Sequence, residues 1–544
     1  MSENKNQAFL KGAFILVIAN VLVKVIGAGF KIPLTYILGE EGMGLFSTAY
    51  TIYGLLFIIA TAGLPVAVSK MVSESRSLNK YKEVKLILKV SFMILSVIGI
   101  LGFLVLFLFA EDFSVALNNP RAMTGIKAIA PAMIFVALMS AFRGFFQGHQ
   151  DMFPTAVSEV LEALGKLLFG YGFAYYFVTS ITDDTFRINF GAMGAVAGVS
   201  MGALLGFLAL LIIYVLKRKE LYKNVSETEK VRSGREIGKK LVLIAIPITI
   251  GASVFSLTNI IDMAMIMRRL EVAGFSASST GLALYGSYTG YAVPLFNMPP
   301  TLISSISISV VPAIAGAFVK KENDFVSNLT QKSVKITLLF ALPCAVGMSI
   351  LSKPILSAVY MNTNAANTLS ILAIAIVFVS LVMLTNAILQ AIGKVYIPVV
   401  NMLLGGLLKI VVNYVLVANP HINICGAPIG TNLCYILILT LNIFWIVKLM
   451  RVKFSVSSFI IKPLICVAVM TAMVILSSSI VNVFVPFTGR LSSIIIVLFG
   501  VSFGAISYFA MLFVTKLVTY DDVLMLPKGE KIANYMVKIR LFKK

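Results

Sequence analysis

LVKVIGAGFKIPLTYILGEEGMGLFSTAYTIYGLLFIIATAGLPVAVSKMVSE, residues 22–74, carries the pattern that decides the fold. Two apolar runs, 12–38 and 44–70, meet at Gly39-Glu40-Glu41. The second gives way to a stretch holding Lys70, Arg76, Lys80, Lys82 and Lys85. A helix needs about 20 apolar residues to cross hydrocarbon, so each run reads as one crossing. The first is also longer than the roughly 7–15-residue core of a cleavable signal, and it reads as a span.

Outward from this pair the same pattern repeats. Hydrophobic residues are 59% of the 544 and charged ones 12%, against roughly 45–50% and about 25% in soluble domains. That balance excludes a soluble enzyme, a disordered regulator, a coiled coil and a disulfide-stapled secreted domain. Uninterrupted apolar runs exclude a membrane barrel, whose strands alternate. About fourteen helices are expected: 12–38, 44–70, 86–109, 126–146, 154–179, 191–216, 241–267, 284–318, 333–357, 367–391, 396–419, 426–447, 457–485 and 491–518. The eighth is long for one crossing, and Asn297-Met298-Pro299-Pro300 is where it breaks.

The formal charge is +22. In a soluble chain this would suggest nucleic acid; here it follows the positive-inside rule, and no nucleic-acid partner is expected. Cations gather after the second, sixth (Lys217 to Lys240), eighth (Lys320, Lys321) and twelfth (Lys448, Arg451, Lys453) spans and in the tail. The opposite loops hold Glu40-Glu41, Glu111-Asp112 and Asp183-Asp184. Both termini are therefore expected in the cytoplasm. The four cysteines lack metal spacing, and His149 and His421 fall far apart in loops.

An internal repeat organises the chain. Segment 129–147 (IAPAMIFVALMSAFRGFFQ) aligns without gaps on 372–390 (LAIAIVFVSLVMLTNAILQ) at an offset of 243, and the same offset takes Lys166 to Lys409. It pairs spans four and five with ten and eleven. Six spans is an even number, so the copies share an orientation, and such repeats usually enclose the substrate site. The expected fold is all-α and polytopic: an N-terminal lobe (1–216), a basic cytoplasmic linker (217–240), a pseudo-symmetric C-terminal lobe (241–450), a C-terminal helix pair (451–518) and a cytoplasmic tail (519–544), the last either plain or a surface amphipathic helix.

A charge at mid-span costs about 2.5–3.5 kcal/mol on insertion scales, so such charges face a cavity or a partner. Asn20, Lys24 and Lys31 share one face of span one, which holds no acid to neutralise them. Lys24 lies near mid-span and is expected to face water or an anion; Lys31 either does the same or snorkels outward. Glu159, Glu162 and Lys166 line one face of span five, where Glu162–Lys166 is either a structural pair or part of a cavity. Asn259 and Asp262 mark span seven, with Arg268 and Arg269 after them at an interface or a site. Asp262 reads either as a cation or proton site or as the partner of a lysine. Span eleven carries Lys409 and Asn413. There is no P-loop, nucleophile elbow or zinc motif, so no ATP hydrolysis by the P-loop route and no catalytic role are expected.

Residues 22–74 and the segment RGFFQGHQDMFPTAVSEVLEALGK (143–166), with Gln147, Gly148 and Pro154 in its QG-x5-P pattern, resemble the polysaccharide-exporter branch of the multidrug/oligosaccharidyl-lipid/polysaccharide (MOP) superfamily. Within it they resemble the MurJ-like lipid II flippases and the stage V sporulation protein B group. The resemblance implies a flippase of the bacterial cytoplasmic membrane for an undecaprenyl-diphosphate-linked glycan, with a cationic cavity for the diphosphate and spans thirteen and fourteen forming a lipid-tail groove. The family's basic residue in span one falls on Lys24; Lys31 lies one residue from a second. Where better-studied members carry a span-two arginine, this chain has Tyr50 and Tyr53. Some relatives bind sodium through acids on spans seven and eleven; here Asp262 stands with Lys409 and Asn413, so no cofactor is expected, and these three mark where coupling to Na+ or H+ would act. The expected diphosphate ligands are Lys24, Lys31, Arg268 and Arg269, in a cavity with Asn20, Tyr50, Tyr53, Gln147, Glu159, Glu162, Lys166 and Asn259. Lipid II is the first expected cargo and membrane lipids surround the chain. The rivals are another lipid-linked polymer, a cation-coupled drug antiporter, and a scaffold for wall-synthesis enzymes.

Overall fold

The computed structural model describes residues 2–222, 231–276, 279–301, 303, 314, 318, 322–394, 396–452, 454–455, 457–484 and 489–517. Every regular element among them is helical, and they divide into two compact units, 1–290 and 291–544. The expected tail at 519–544, most of the second half of span eight and the Asn259 side chain lie outside the described residues.

The first unit holds α1 (Ser2–Thr61), α2 (Gly63–Ser77), α3 (Tyr81–Leu108), α4 (Ala110–Ala116), α5 (Met123–Ile129), α6 (Ala132–Gly148), α7 (Phe153–Ser180), α8 (Asp184–Leu221), α9 (Gly234–Val272) and α10 (Thr280–Ser287). Helix α1 is two helical limbs that meet at the junction Gly39 marks in the sequence. Gly39 sits at φ +63, ψ −169, a conformation open to glycine and strained for other residues. Phe30 and Phe46 would be about 24 Å apart along a straight helix. Their ring centroids are 6.0 Å apart, so the chain doubles back at Gly39.

Glycines bring two helix pairs into backbone contact. A Cβ on Gly198 of α8 would lie 2.1 Å from the backbone of Gly170 on α7. One on Gly202 would lie 2.5 Å from the Glu162 carbonyl oxygen and 2.8 Å from the Lys166 nitrogen. Lipid tails are as apolar as leucine, so helices in a bilayer associate through such close approach rather than by escaping water. Gly286 of α10 likewise admits the Glu40 carbonyl, 1.8 Å from where its Cβ would stand.

The basic stretch 217–240 is tied down at both ends. Lys217 pairs with Asp151 at 2.5 Å and Lys240 with Glu74 at 2.7 Å. Between them Arg232 pairs with Glu83, which is wholly buried and also accepts from the Ser75 hydroxyl at 2.8 Å. Ser233 then caps α9 in a reciprocal box with Glu236.

The second unit comprises helical residues 293–301, then α11 (Asn323–Ile350), α12 (Ser352–Tyr360), α13 (Ala366–Ala391), α14 (Tyr396–Leu416), α15 (Gly426–Met450), α16 (Lys462–Phe484) and α17 (Arg490–Val514). A neutral polar network locks α13, α14 and α15 together. Asn442 donates to Thr385 Oγ1 at 2.9 Å and Asn386 Oδ1 at 2.7 Å, and accepts from Asn401 at 2.8 Å.

Ten stretches among the described residues are long and apolar enough to cross a membrane. The α1 hairpin counts within one of them, Ala19–Arg76, and α7, which carries Glu159, Glu162 and Lys166, is not one of the ten.

Candidate functional site

Lys31, Tyr50, Tyr53, Glu159, Glu162 and Lys166 come together in the first unit where the α1 hairpin meets α6 and α7. The hairpin puts Phe30 and Lys31 of one limb beside Tyr50 and Tyr53 of the other. The Gly202 contact presses the segment bearing Glu162 and Lys166 inward from behind.

Lys166 Nζ stands 4.4 Å from the Tyr50 ring centroid and 5.3 Å from that of Phe30, and it donates to the Tyr50 hydroxyl at 3.4 Å. Both rings offer the face of a π system to the ammonium. Lys31 is half-buried and within electrostatic reach of Lys166. Two like charges are thus held near one another, an arrangement that an anion between them relieves.

The expected Glu162–Lys166 pair does not form. Glu162 Oε2 instead accepts from Arg143 Nη2 at 2.8 Å, while Arg143 Nε donates to Ser158 Oγ at 3.0 Å. Helix α6 approaches α7 closely enough for a planar guanidinium to outcompete an ammonium one turn away on the same helix. Tyr53 is buried beside Glu162 and Arg143.

Arg143 was not among the expected site residues, although its sequence held a signal. It is a cation inside an apolar run, and the 243-residue offset sets it on Asn386 and sets Ser158 on Asn401. Both members of each set sit in the inner polar contacts of their own unit.

The other expected residues lie elsewhere. Lys24 is two turns before Lys31 on the same face, and it is exposed along with Asn20, Val21, Leu22 and Val25. Among the described residues no carboxylate pairs with it. Gln147 is half-buried near the end of α6. Arg268 is exposed and donates to the Ala116 carbonyl at 3.3 Å, and Arg269 is half-buried. Asp262 is buried in the first unit; Lys409 is half-buried and Asn413 buried in the second. No group of three or more metal-type ligands occurs among the described residues.

At the end of α6, His149 packs its ring 4.3 Å from that of Phe145 and bonds the Phe145 carbonyl through Nδ1 at 2.9 Å. Burial is the main cause that pulls its pKa down to about 4.

The second unit holds an apolar groove of about 470 Å³ between α11, α12, α16 and α17, with Leu339, Pro343, Cys344, Met470, Gly504 and Phe509 in its wall. The Tyr508 hydroxyl, also in the wall, donates to the Leu339 carbonyl at 2.9 Å. A second apolar recess of about 340 Å³ lies between α16 and α17, against Met473, Ile480, Ile495 and Phe503.

A cation cluster among membrane helices and an apolar groove in one chain direct attention to carriers of amphiphilic anions. The family model for polysaccharide biosynthesis proteins matches residues 9–318. The chain belongs to that family. A MatE model matches residues 247–415. The uncharacterized membrane protein YabM of Bacillus subtilis (strain 168) is 26% identical over 97% of this chain and 96% of its own. The lipid II flippase MurJ of the same organism is 29% identical over 78% of this chain and 80% of its own. Among solved structures, lipid II flippase MurJ in an inward closed conformation superposes with TM-score 0.66, at 16% identity, over 92% of this chain and 99% of that one. This polysaccharide biosynthesis family member is thus a multi-pass protein of the cytoplasmic membrane, related in sequence to MurJ, with the fold of MOP-superfamily transporters.

Proposed function

We propose that the chain is a flippase for an undecaprenyl-diphosphate-linked glycan, with the peptidoglycan precursor lipid II as cargo, and that it works by alternating access. The observation that carries this reading is the pair Lys31 and Lys166, converging among membrane helices with the second ammonium set over the rings of Tyr50 and Phe30. A diphosphate crossing about 30 Å of hydrocarbon needs cations along its path. Ammonium groups hold phosphate as point charges, whereas a guanidinium clamps it bidentately, and a mobile hold suits cargo that must be released. Lys24, one heptad earlier on the same face, receives the headgroup first; Tyr50 takes Lys166 back when the cargo leaves. The apolar groove of the second unit takes the polyprenyl tail. Fourteen crossings with both termini in the cytoplasm, in two six-helix lobes with the groove-bearing pair appended, complete the proposed architecture.

The family's description names polysaccharides at large. A different lipid-linked polymer is therefore the second reading. A cationic drug is disfavoured by two unpaired-in-sequence lysines in span one.

The test is complementation of a conditional lipid II flippase mutant. The wild-type chain is expected to restore growth and outer-leaflet lipid II, and K31A/K166A to fail at equal abundance. Failure of the wild-type chain rules out lipid II; full rescue by K31A/K166A removes the cluster from the mechanism.

A further inference from the structure

An aromatic ladder runs along the second limb of α1. Phe46, Tyr50, Tyr53 and Phe57 follow at helical spacing, with successive ring centroids 5.7, 5.9 and 5.6 Å apart. Phe46 and Tyr53 are buried and Phe57 is half-buried, whereas Tyr50 is exposed. Phe46 stacks on the Tyr50 ring at 14°, so packing fixes the plane of that ring. The open side of Tyr50 is not a lipid side, because the Lys166 ammonium stands over the ring at 4.4 Å and a charge in hydrocarbon is costly.

There is room beside the ring. Ser47 and Gly54, one turn before and one turn after Tyr50, are half-buried. No heavy atom of the described residues comes within 4 Å of where a Cβ on Gly54 would stand. Equal rise from the Phe30–Phe46 contact sets the exposed Lys24 about level with residue 52, between Tyr50 and Gly54 in height.

In a glycosyl diphosphate the first sugar is bonded directly to the phosphate. A pyranose has a face of C–H bonds with partial positive charge on their hydrogens. Such a face packs on the negative face of an aromatic ring, as the edge of a second ring does. Tyr50 is the ring that comes free when Lys166 moves to a phosphate. We propose that Tyr50 is the subsite for the first sugar of the cargo, a pyranose stacked on its ring, and that Lys166 covers this ring until a phosphate draws the ammonium away. The proposal rests on the headgroup reading above and adds a selection to it. A polyprenyl diphosphate without sugar leaves Tyr50 bare and is held less tightly than the loaded carrier.

The test uses the full chain in nanodiscs and two water-soluble probes, citronellyl diphosphate and the same molecule with N-acetylglucosamine on its terminal phosphate. The quantity read is the ratio of the two affinities, compared between proteins so that the charge lost on glycosylation cancels. In Y50L the ratio is expected to fall about tenfold against the glycosylated probe, the size of one strong aromatic contact. Affinity for the bare probe should hold or rise, because Lys166 then has one ring fewer to leave. Y50F keeps the ring and should keep the wild-type ratio. A ratio unchanged in Y50L, including an equal loss for both probes, overturns the sugar subsite, and so does a Y50F that falls as far as Y50L. The headgroup reading is tested apart from this by K31A/K166A, whose undiminished binding of the bare probe would overturn it. Absence of binding of both probes by the wild type overturns the two together.

Discussion

Replacing Arg143 by methionine removes a guanidinium from the α6–α7 contact while keeping most of its length. Two bonds across that contact go: the charge-assisted one to Glu162 at 2.8 Å and the one to Ser158 at 3.0 Å. Breaking a fully buried pair from one side costs about 3–5 kcal/mol, mostly because the partner charge is stranded. The side chains here are 14% and 26% exposed, which places the loss near the lower end, about 3 kcal/mol. Glu162→Gln alone should cost less, about 1–2 kcal/mol, since its amide oxygen still accepts from Arg143. The double variant strands no charge, so it should be more stable than R143M alone, which requires a coupling larger than the cost of E162Q, about 2–3 kcal/mol. Unfolding of the four proteins by a denaturing detergent, titrated into mild micelles and followed by helical circular dichroism, measures the cycle. A loss under about 0.5 kcal/mol for R143M, or a double variant whose cost equals the sum of the singles, refutes the pairing as the element that ties α6 to α7.

Gly198→Leu should be more damaging than any polar change, because its Cβ would lie 2.1 Å from the Gly170 backbone; an overpacking cost of about 3 kcal/mol or more is expected, read as lost monodisperse protein, whereas Gly172→Ala, with open space around it, should be silent. Asn442→Leu should loosen the second unit by about 1–2 kcal/mol, seen as faster proteolysis, since it leaves Asn401, Thr385 and Asn386 short of partners. His149 has a folded pKa of about 4, below its ordinary 6.5. The unfolded chain therefore takes up the proton first, and stability that is full above pH 6.5 should fall as pH drops towards 4; H149Q should flatten that part of a melting-temperature profile, and an unchanged profile would remove the histidine as its cause.

Some of the site could be read directly from spacing. Lys31 on a face with Asn20 and Lys24, and Glu159, Glu162 and Lys166 at helical intervals, follow from periodicity alone, and all but Asn20 and Lys24 converge in the structure. The partner assignments within it do not follow. Intrahelical spacing favours Glu162 with Lys166, yet Arg143, nineteen residues before Glu162, takes the carboxylate, and Lys166 turns to Tyr50 and Phe30. Spacing within one helix carries no information about which side chain a second helix brings closer. Arg268 is a similar case: its place after span seven says nothing of the Ala116 carbonyl, which lies 152 residues away in sequence. The offset of 243 contained more than its identities suggested, because it aligns Arg143 with Asn386 and Ser158 with Asn401 although neither pair is identical.

Hydropathy is a sum over neighbours in the chain, so the sequence alone determined that this is a helical membrane protein, where most of its helices lie, that Gly39 separates the first two, and which side chains carry charge into the bilayer. Which of those charges meet depends on how each helix is rotated and how near its neighbours come. The tertiary structure decided that through Gly39, which folds Phe30 onto Phe46, and through Gly198 and Gly202, whose missing side chains let α7 close on α8 and set Lys166 over its aromatic rings.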